Sequence, residues 1–384
     1  MSGKHLSFLA VAVIVVIGAV LLFVPGQTGR EALPEAGLVL PDLAGQVNDA
    51  TGIEVRAAGD RVVATLRRDP ASGEDVWSVD ELGGYPADWG TVREVLAALA
   101  RAEVIEPKTD NPAYYDRLGV QDVTEADASG LLLTVSLPDA PVAVILGDEA
   151  PARGGRYLRP AGEARSVLAD FDADVPEDAL GWADEDVVDI APAEVAEVEI
   201  VHPDGERLRV SKVSADDADY TLDGGVPEGR ELASSWSVNA LGGLLAGVVM
   251  DGVRAADEID WSDAIALRFV TFDGLVIEAS LAGVDDAHWL KLSASAPWEP
   301  SDSASADTVD EGLEDAAQAA DSATDDVAAE DSAEGEAVTA DERASEINGR
   351  VAGWAYEIPA YKAEAMDKRL EDLLKPLEDG QGGS

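Results

Sequence analysis

Cysteine is absent from the 384 residues, which excludes disulfides and thiolate metal sites. Basic residues are scarce, with 27 Lys and Arg against 77 Asp and Glu and a formal net charge of −50. A surface so acidic repels phosphates and anionic headgroups at long range, which argues against nucleic acid as a partner. The carboxylates spread through every segment, the pattern of an exposed surface adapted to a saline medium. Histidine occurs three times. His5 stands near the N-terminus, while His202 and His288 fall in or beside expected turns with no second histidine at ligand spacing, and both are read as exposed. No HExxH, Walker A, GxGxxG or GxSxG sequence is present. No catalytic residue, metal or cofactor is therefore expected.

One hydrophobic run stands apart. Leu6 to Val24, LSFLAVAVIVVIGAVLLFV, carries no charge. As a helix rising about 1.5 Å per residue it would be roughly 28 Å long, close to the hydrocarbon core of a bilayer. It exits through Phe23, Val24, Pro25, Gly26 and Gln27 without a small-x-small cleavage site, so an uncleaved anchor is expected over a secretory signal. Lys4 precedes the run, and Arg30 follows beside Glu31 and Glu35, a slight positive-inside bias. The expected arrangement is a single-pass protein of the bacterial inner membrane, with residues 1–5 cytoplasmic, 6–24 spanning, 25–50 a linker and the bulk in the periplasm.

Behind the anchor, the 46% hydrophobic fraction is enough to build cores. The stretch 299–343 is the exception, because up to Glu342 it is dominated by Ala, Ser, Asp and Glu with neither an aromatic nor a basic residue. Such a segment buries too little apolar area to offset its ordering entropy, and it is read as a disordered acidic insert that solvates the chain.

Two stretches follow one order of elements. The first, residues 51–184, opens with a hairpin at Ile53–Arg56 and Arg61–Arg67 and a strand at Val76–Val79. A helix follows, capped by Asp88 or Thr91, with Val92, Val95, Leu96 and Leu99 on one face. Strands at Leu131–Leu137, Val142–Leu146, Tyr157–Arg159 and Ser166–Ala169 complete it. The second, residues 185–298 plus 344–376, repeats strands at Val195–Val201, Leu208–Lys212 and Tyr220–Leu222. A helix through Val238, Leu241, Leu245 and Val248 comes next, then strands at Ile265–Thr271, Leu275–Leu281 and Trp289–Leu292. Past the insert, Trp354–Ile358 supplies a last strand and Ala360–Leu374 a closing helix. Hairpin connections dominate, so the fold class is α+β: an N-terminal transmembrane helix and two similar antiparallel-sheet-plus-helix units, an internal duplication.

Few residues suggest chemistry. Asp170, Asp172 and Asp174 open like a calcium loop, but Val175 and Gly181 occupy the positions where an EF-hand needs glycine and a bidentate glutamate. Carboxylate pairs carry no signal where acidic residues are so abundant. Lys108 and Thr109 form a cationic spot close to Tyr114, Tyr115 and Arg117. Lys108, Thr109, Tyr115 and Arg117 are the candidate contacts for a partner or acidic ligand, against a plain alternative in which the loop pairs with neighbouring carboxylates and packs its tyrosines. Trp182, Trp354 and Tyr356 offer faces for carbohydrate stacking, although packing is the usual reason for a large aromatic in a β-rich segment.

The stretch VWSVDELGGYPADWGTVREVLAALARAEVIEPKTDNPAYYDRLGV, from Val76 to Val120, resembles the bacterial family known as domain of unknown function 4340. AVILGDEAPARGGRYLR, SVLAD, GWADEDVVDI and GRVAGWAYEIPAYKAEAMDKRLEDLL fit it in turn. The resemblance implies a membrane-anchored protein associated with ABC-type transport systems of the kind linked to gliding motility, and it brings no catalytic residues. The expected function is a non-enzymatic extracytoplasmic accessory or scaffold protein, an auxiliary subunit whose partners are the membrane and the permease or auxiliary subunits of such a transporter. The alternative is a periplasmic binding protein or cryptic hydrolase acting on an envelope polymer.

Overall fold

Alternating apolar residues dictate most of the architecture, as in Leu131–Ser136, where every second side chain is buried. The computed structural model describes residues 37–69, 76–296 and 339–376. The expected tail, the anchor at Leu6–Val24 and most of the acidic insert lie outside them. Among the described residues no helix is long and apolar enough to cross a membrane. The chain divides into two units: the described residues up to Glu81 with Pro86–Trp182, and Leu82–Tyr85 with the described residues from Ala183 onward.

In unit 1, β1 (Gly52–Ala57) and β2 (Arg61–Arg68) form the expected hairpin, and β3 (Trp77–Val79) pairs with β2. After β4 (Tyr85–Pro86) come the helix α2 (Trp89–Arg101), described below, and β5 (Glu103–Pro107). Next, β6 (Leu131–Ser136) returns to pair with β1, and a meander runs through β7 (Val142–Glu149), β8 (Arg156–Pro160) and β9 (Val167–Asp170). The nine-stranded sheet has the order β4-β3-β2-β1-β6-β7-β8-β9-β5.

Unit 2 opens with β10 (Asp186–Val188), which pairs with β14 (Val248–Val249) in a small separate sheet. Its main sheet uses β11 (Val195–Val201), β12 (Arg207–Ser211), β13 (Thr221–Leu222), β15 (Gly252–Ala255), β16 (Ile265–Thr271), β17 (Val276–Val284), β18 (Ala287–Ser295) and β19 (Trp354–Glu357). The order is β13-β12-β11-β16-β17-β18-β19-β15. It matches β3-β2-β1-β6-β7-β8-β9-β5 strand for strand. In both units a strand beyond the helix, β5 directly after it or β15 after the short β14, crosses to the far edge and pairs antiparallel with the last strand of the meander.

The helix α2 forms as its sequence dictates. Asp88 caps it, accepting the N–H groups of Gly90 at 3.0 Å and Thr91 at 2.9 Å, and Val92, Val95, Leu96 and Leu99 turn inward. Of the two expected caps, Asp88 takes the role, and the Thr91 hydroxyl donates to it at 2.6 Å. Asp88→Ala is expected to lower stability by about 1 kcal/mol, with Asp88→Asn close to neutral, in denaturant unfolding.

Several expectations are corrected. The second half of the 25–50 linker belongs to unit 1: α1 (Pro41–Ala44) buries Leu43, and the Val39 N–H donates to the Ala102 carbonyl at 2.8 Å. The helix expected through Val248 is only α3 (Ser235–Asn239) with a 3-10 turn to Gly243, and Val248 lies in β14. Gly242 explains the tight packing there, since a Cβ on it would stand 2.4 Å from the Tyr220 hydroxyl. The acidic segment ends in structure, not disorder: α4 (Ala340–Val351) starts inside 299–343, with Thr339 and Glu342 forming a capping box. The closing helix breaks into α5 (Ala360–Met366) and a 3-10 turn at Leu370–Leu373.

Candidate functional site

The loop that holds the sequence-derived candidates is set down by two glycines. A Cβ at Gly130 would lie 2.1 Å from the Gly119 carbonyl oxygen, and one at Gly147 2.1 Å from that of Leu118, so residues 118–119 can approach the sheet only where side chains are missing. The 3-10 turn Pro112–Arg117 precedes this contact, with Asn111 as its cap. Tyr115 is buried and donates to the Ala164 carbonyl. Over its ring, 4.6 Å from the centroid, lies the guanidinium of Arg159, which is only 3% exposed. Arg159 donates to the carbonyls of Val120 at 2.8 Å and Glu163 at 2.9 Å and to the Asp122 carboxylate at 2.7 Å.

The other candidates take supporting parts. Lys108 pairs with Glu106 at 2.9 Å, and that carboxyl is held below its ordinary range by Lys108 first and Arg153 with it. The Thr109 hydroxyl accepts the Asn111 N–H at 3.0 Å, and its carbonyl accepts from Ser166. Arg117 is exposed, with its guanidinium 4.9 Å from the centroid of the Tyr114 ring. Lys108, Thr109 and Tyr115 thus fasten the loop, while Arg117 and Tyr114 face solvent. The aspartates at 172 and 174 are exposed between buried Phe171, Ala173 and Val175, the outward side of an extended segment.

Of the stacking candidates, Trp182 and Tyr356 are fully buried, so neither presents a face to a sugar. Trp182 donates to the Pro176 carbonyl at 3.3 Å. Tyr85 meets Trp354 and Tyr356 edge-on, at centroid distances of 5.1 and 6.0 Å. These rings are packing.

His202 corrects the reading of an exposed turn residue. It does sit in a turn, where its N–H donates to the Glu206 carbonyl, but it is 2% exposed. The reason is a segment far along the chain: Nε2 lies 3.2 Å from the Lys368 carbonyl and Nδ1 3.4 Å from Asp367. His288 lies beside the turn at Asp285–Asp286, as expected, but as a half-buried member of β18. Around His202 the charges tie down the C-terminal segment. Arg369 pairs with Asp204 and Glu206, Arg230 bidentately with Glu371 at 2.7 and 2.9 Å, and Lys375 with Glu231 at 2.6 Å.

Three of the carboxyls are held below their ordinary range, Asp204 by the Glu206 N–H and then Arg369, Glu371 by Arg230 and Glu231 by Lys375. A carboxyl depressed in the folded state contributes stability above its unfolded pKa and loses it as pH falls through the folded one. Residues 367–376 are therefore expected to stay docked at neutral pH and to release below about pH 4. Hydrogen exchange should show the Ala233 and Lys375 amides, bonded to Leu373 and Glu231, losing protection in that window before the strands of the sheet do. Retention down to about pH 2 would remove the electrostatic account.

A different site in unit 1 escaped the sequence reading. A groove of about 270 Å³ is lined by Asn48, Arg68, Trp77, Trp89, Arg93 and several aliphatic residues. Arg68 and Trp77 are direct cross-strand partners in β2 and β3. Trp89 and Arg93 stand four apart on α2, hence on one face. Arg68 donates to the Asn48 carbonyl at 2.8 Å. Trp89 is 39% exposed; Trp77 is 3% exposed, and its indole N–H is buried without a hydrogen-bond partner. Among the described residues that line the groove there is no carboxylate, in a chain that carries 77. The sequence signal was the Trp-to-Arg spacing on α2, visible only if the helix is read for more than its apolar stripe.

Residues 77–256 match the family model described as a domain of unknown function, DUF4340, from the start of β3 to just beyond β15. No curated protein and no solved structure matches the chain.

Proposed function

For a chain that carries a DUF4340 domain over residues 77–256, we propose a non-enzymatic accessory role: a scaffold subunit held on the outer face of a bacterial inner membrane, serving an ABC-type transport system of the gliding-motility kind. The observation that carries this reading is the use the fold makes of its charged side chains. Arg159, Arg230, Arg343 and Arg369 each bind carboxylates or carbonyls of distant segments and fasten backbone, as Arg343 does in tying α4 to Glu194 at 2.6 Å and Asp273 at 2.5 Å. Side chains so engaged stiffen each unit for binding and are not the parts of a reactive centre. The run Leu6–Val24 supports the membrane placement, with the N-terminus inside and the bulk in the periplasm. The matching strand orders support an internal duplication. Exposed Arg117 and Tyr114, on a loop fastened by Lys108, Thr109 and Tyr115, are the proposed partner contact.

Mild detergent extraction of native membranes, followed by affinity capture of the full chain, tests the role. Permease or auxiliary subunits should co-elute, and Arg117→Ala should reduce their recovery without lowering the thermal midpoint. Repeated recovery of the protein alone would overturn the reading. The groove in unit 1 favours the binding form of the alternative, a periplasmic protein that recognises an envelope polymer.

A further inference from the structure

We propose that the unit 1 groove between β2, β3 and α2 binds a single acidic sugar residue, a saccharide ring bearing a carboxylate. The inference stands on the groove and does not require the transport role.

Three features select this ligand. The first is charge. The protein as a whole repels anions, so an anion settles where cations gather away from carboxylates, and among the described residues the lining of the groove holds two arginines and no carboxylate. Arg93 supplies the free cation: it is exposed and, among the described residues, enters no ion pair or hydrogen bond. Its planar fork suits a carboxylate bidentately. The second is the pairing of indoles with an unmet donor. Trp89 offers an exposed aromatic face to the C–H side of a ring, while Trp77, which also lines the groove, has a buried N–H without an acceptor that a hydroxyl oxygen would supply after a small shift of the ring. A hydroxyl-rich sugar brings acceptors all round its ring, whereas an aromatic acid brings them only at its carboxylate. The third is size. At about 270 Å³ the groove lies just under the usual 300–1,000 Å³ of small-molecule sites and holds one ring, not an extended chain.

The detergent-solubilised full chain, titrated with D-glucuronate and followed by saturation-transfer NMR on the ligand, tests the assignment at about 0.15 M salt, where local pairs survive screening. Saturable transfer to glucuronate is expected, with D-glucose, benzoate and inorganic phosphate, each added as a competitor against that signal, at least tenfold weaker. Arg93→Ala and Trp89→Ala, both exposed positions, should each weaken glucuronate at least tenfold while the thermal midpoint stays in place. Arg117→Ala should leave binding unchanged. No saturable transfer, binding of glucose equal to glucuronate, benzoate or phosphate bound as well or better, or indifference to both groove variants would overturn the proposal. Loss of binding on Arg117→Ala would move the site to the loop and overturn it equally.

Discussion

Trp182→Ala should destabilise unit 1 by about 3–5 kcal/mol, a large share of the 5–15 kcal/mol that holds a typical domain. The indole is fully buried, so its removal loses the transfer free energy of the ring and leaves a cavity in its place. Two polar ties are involved as well. The Pro176 carbonyl loses the indole N–H that satisfies it, and the Trp182 carbonyl accepts the N–H of Asp88, the residue that caps α2. Damage at the end of unit 1 is thus passed to its main helix. Because a chain of two units need not unfold in one step, a lowered midpoint does not by itself say which unit has been weakened. Hydrogen exchange resolves the question: amides of β1 and β6–β9 should lose protection while those of β11 and β16–β18 keep theirs. Equal loss in both sheets would mean that the units are not separate in stability. Trp182→Phe, which keeps much of the volume but not the N–H, should cost less than half as much.

What was legible in the sequence follows from how local each signal is. β6 and β16 alternate cleanly, β1, β2, β7, β11, β17 and β18 are rich in β-branched and other apolar residues, and each pairs with a neighbour along the chain, so pattern and turn sufficed. β5, with the sequence EVIEP, and β15, with GVRA, carry no such pattern. They are strands because distant β9 and β19 offer open edges, and an edge strand can be short and charged. The helix α4 was hidden for another reason. Only Ala344, Ile347 and Val351 are buried in it, so its stripe dissolves into the acidic composition before it, and just the Thr339 and Glu342 cap betrays its start. His202 lies in a turn, as its sequence suggests, but not in solvent, since what covers it arrives 166 residues later. The groove was missed by the same logic, being assembled from a cross-strand pair and a helical pair that share no local motif.

Arg159→Met tests whether the loop of sequence-derived candidates is first of all a structural device, and about 3 kcal/mol of destabilisation is expected. Hydrogen bonds from a charged donor contribute about 1.5–3 kcal/mol each, but they do not add, and Asp122, with its side chain 60% exposed, regains water once released. The cost therefore falls on the Val120 and Glu163 carbonyls, left without their donor, and on Tyr115, which loses the guanidinium over its ring. Methionine restores the length and apolar bulk but none of the three bonds. Arg159→Lys keeps the charge yet places a single ammonium where a planar fork reaches three acceptors, so it should recover only part of the loss. Denaturant unfolding gives the magnitude. The location comes from hydrogen exchange at Leu118 and Val120, whose amides bond to the Tyr115 carbonyl and should exchange faster in the variant. A variant as stable as the parent, with those amides still protected, would show that the loop stands without Arg159. The partner contact proposed for Arg117 would then need another support, because a surface presented to a partner is only as definite as the loop that carries it.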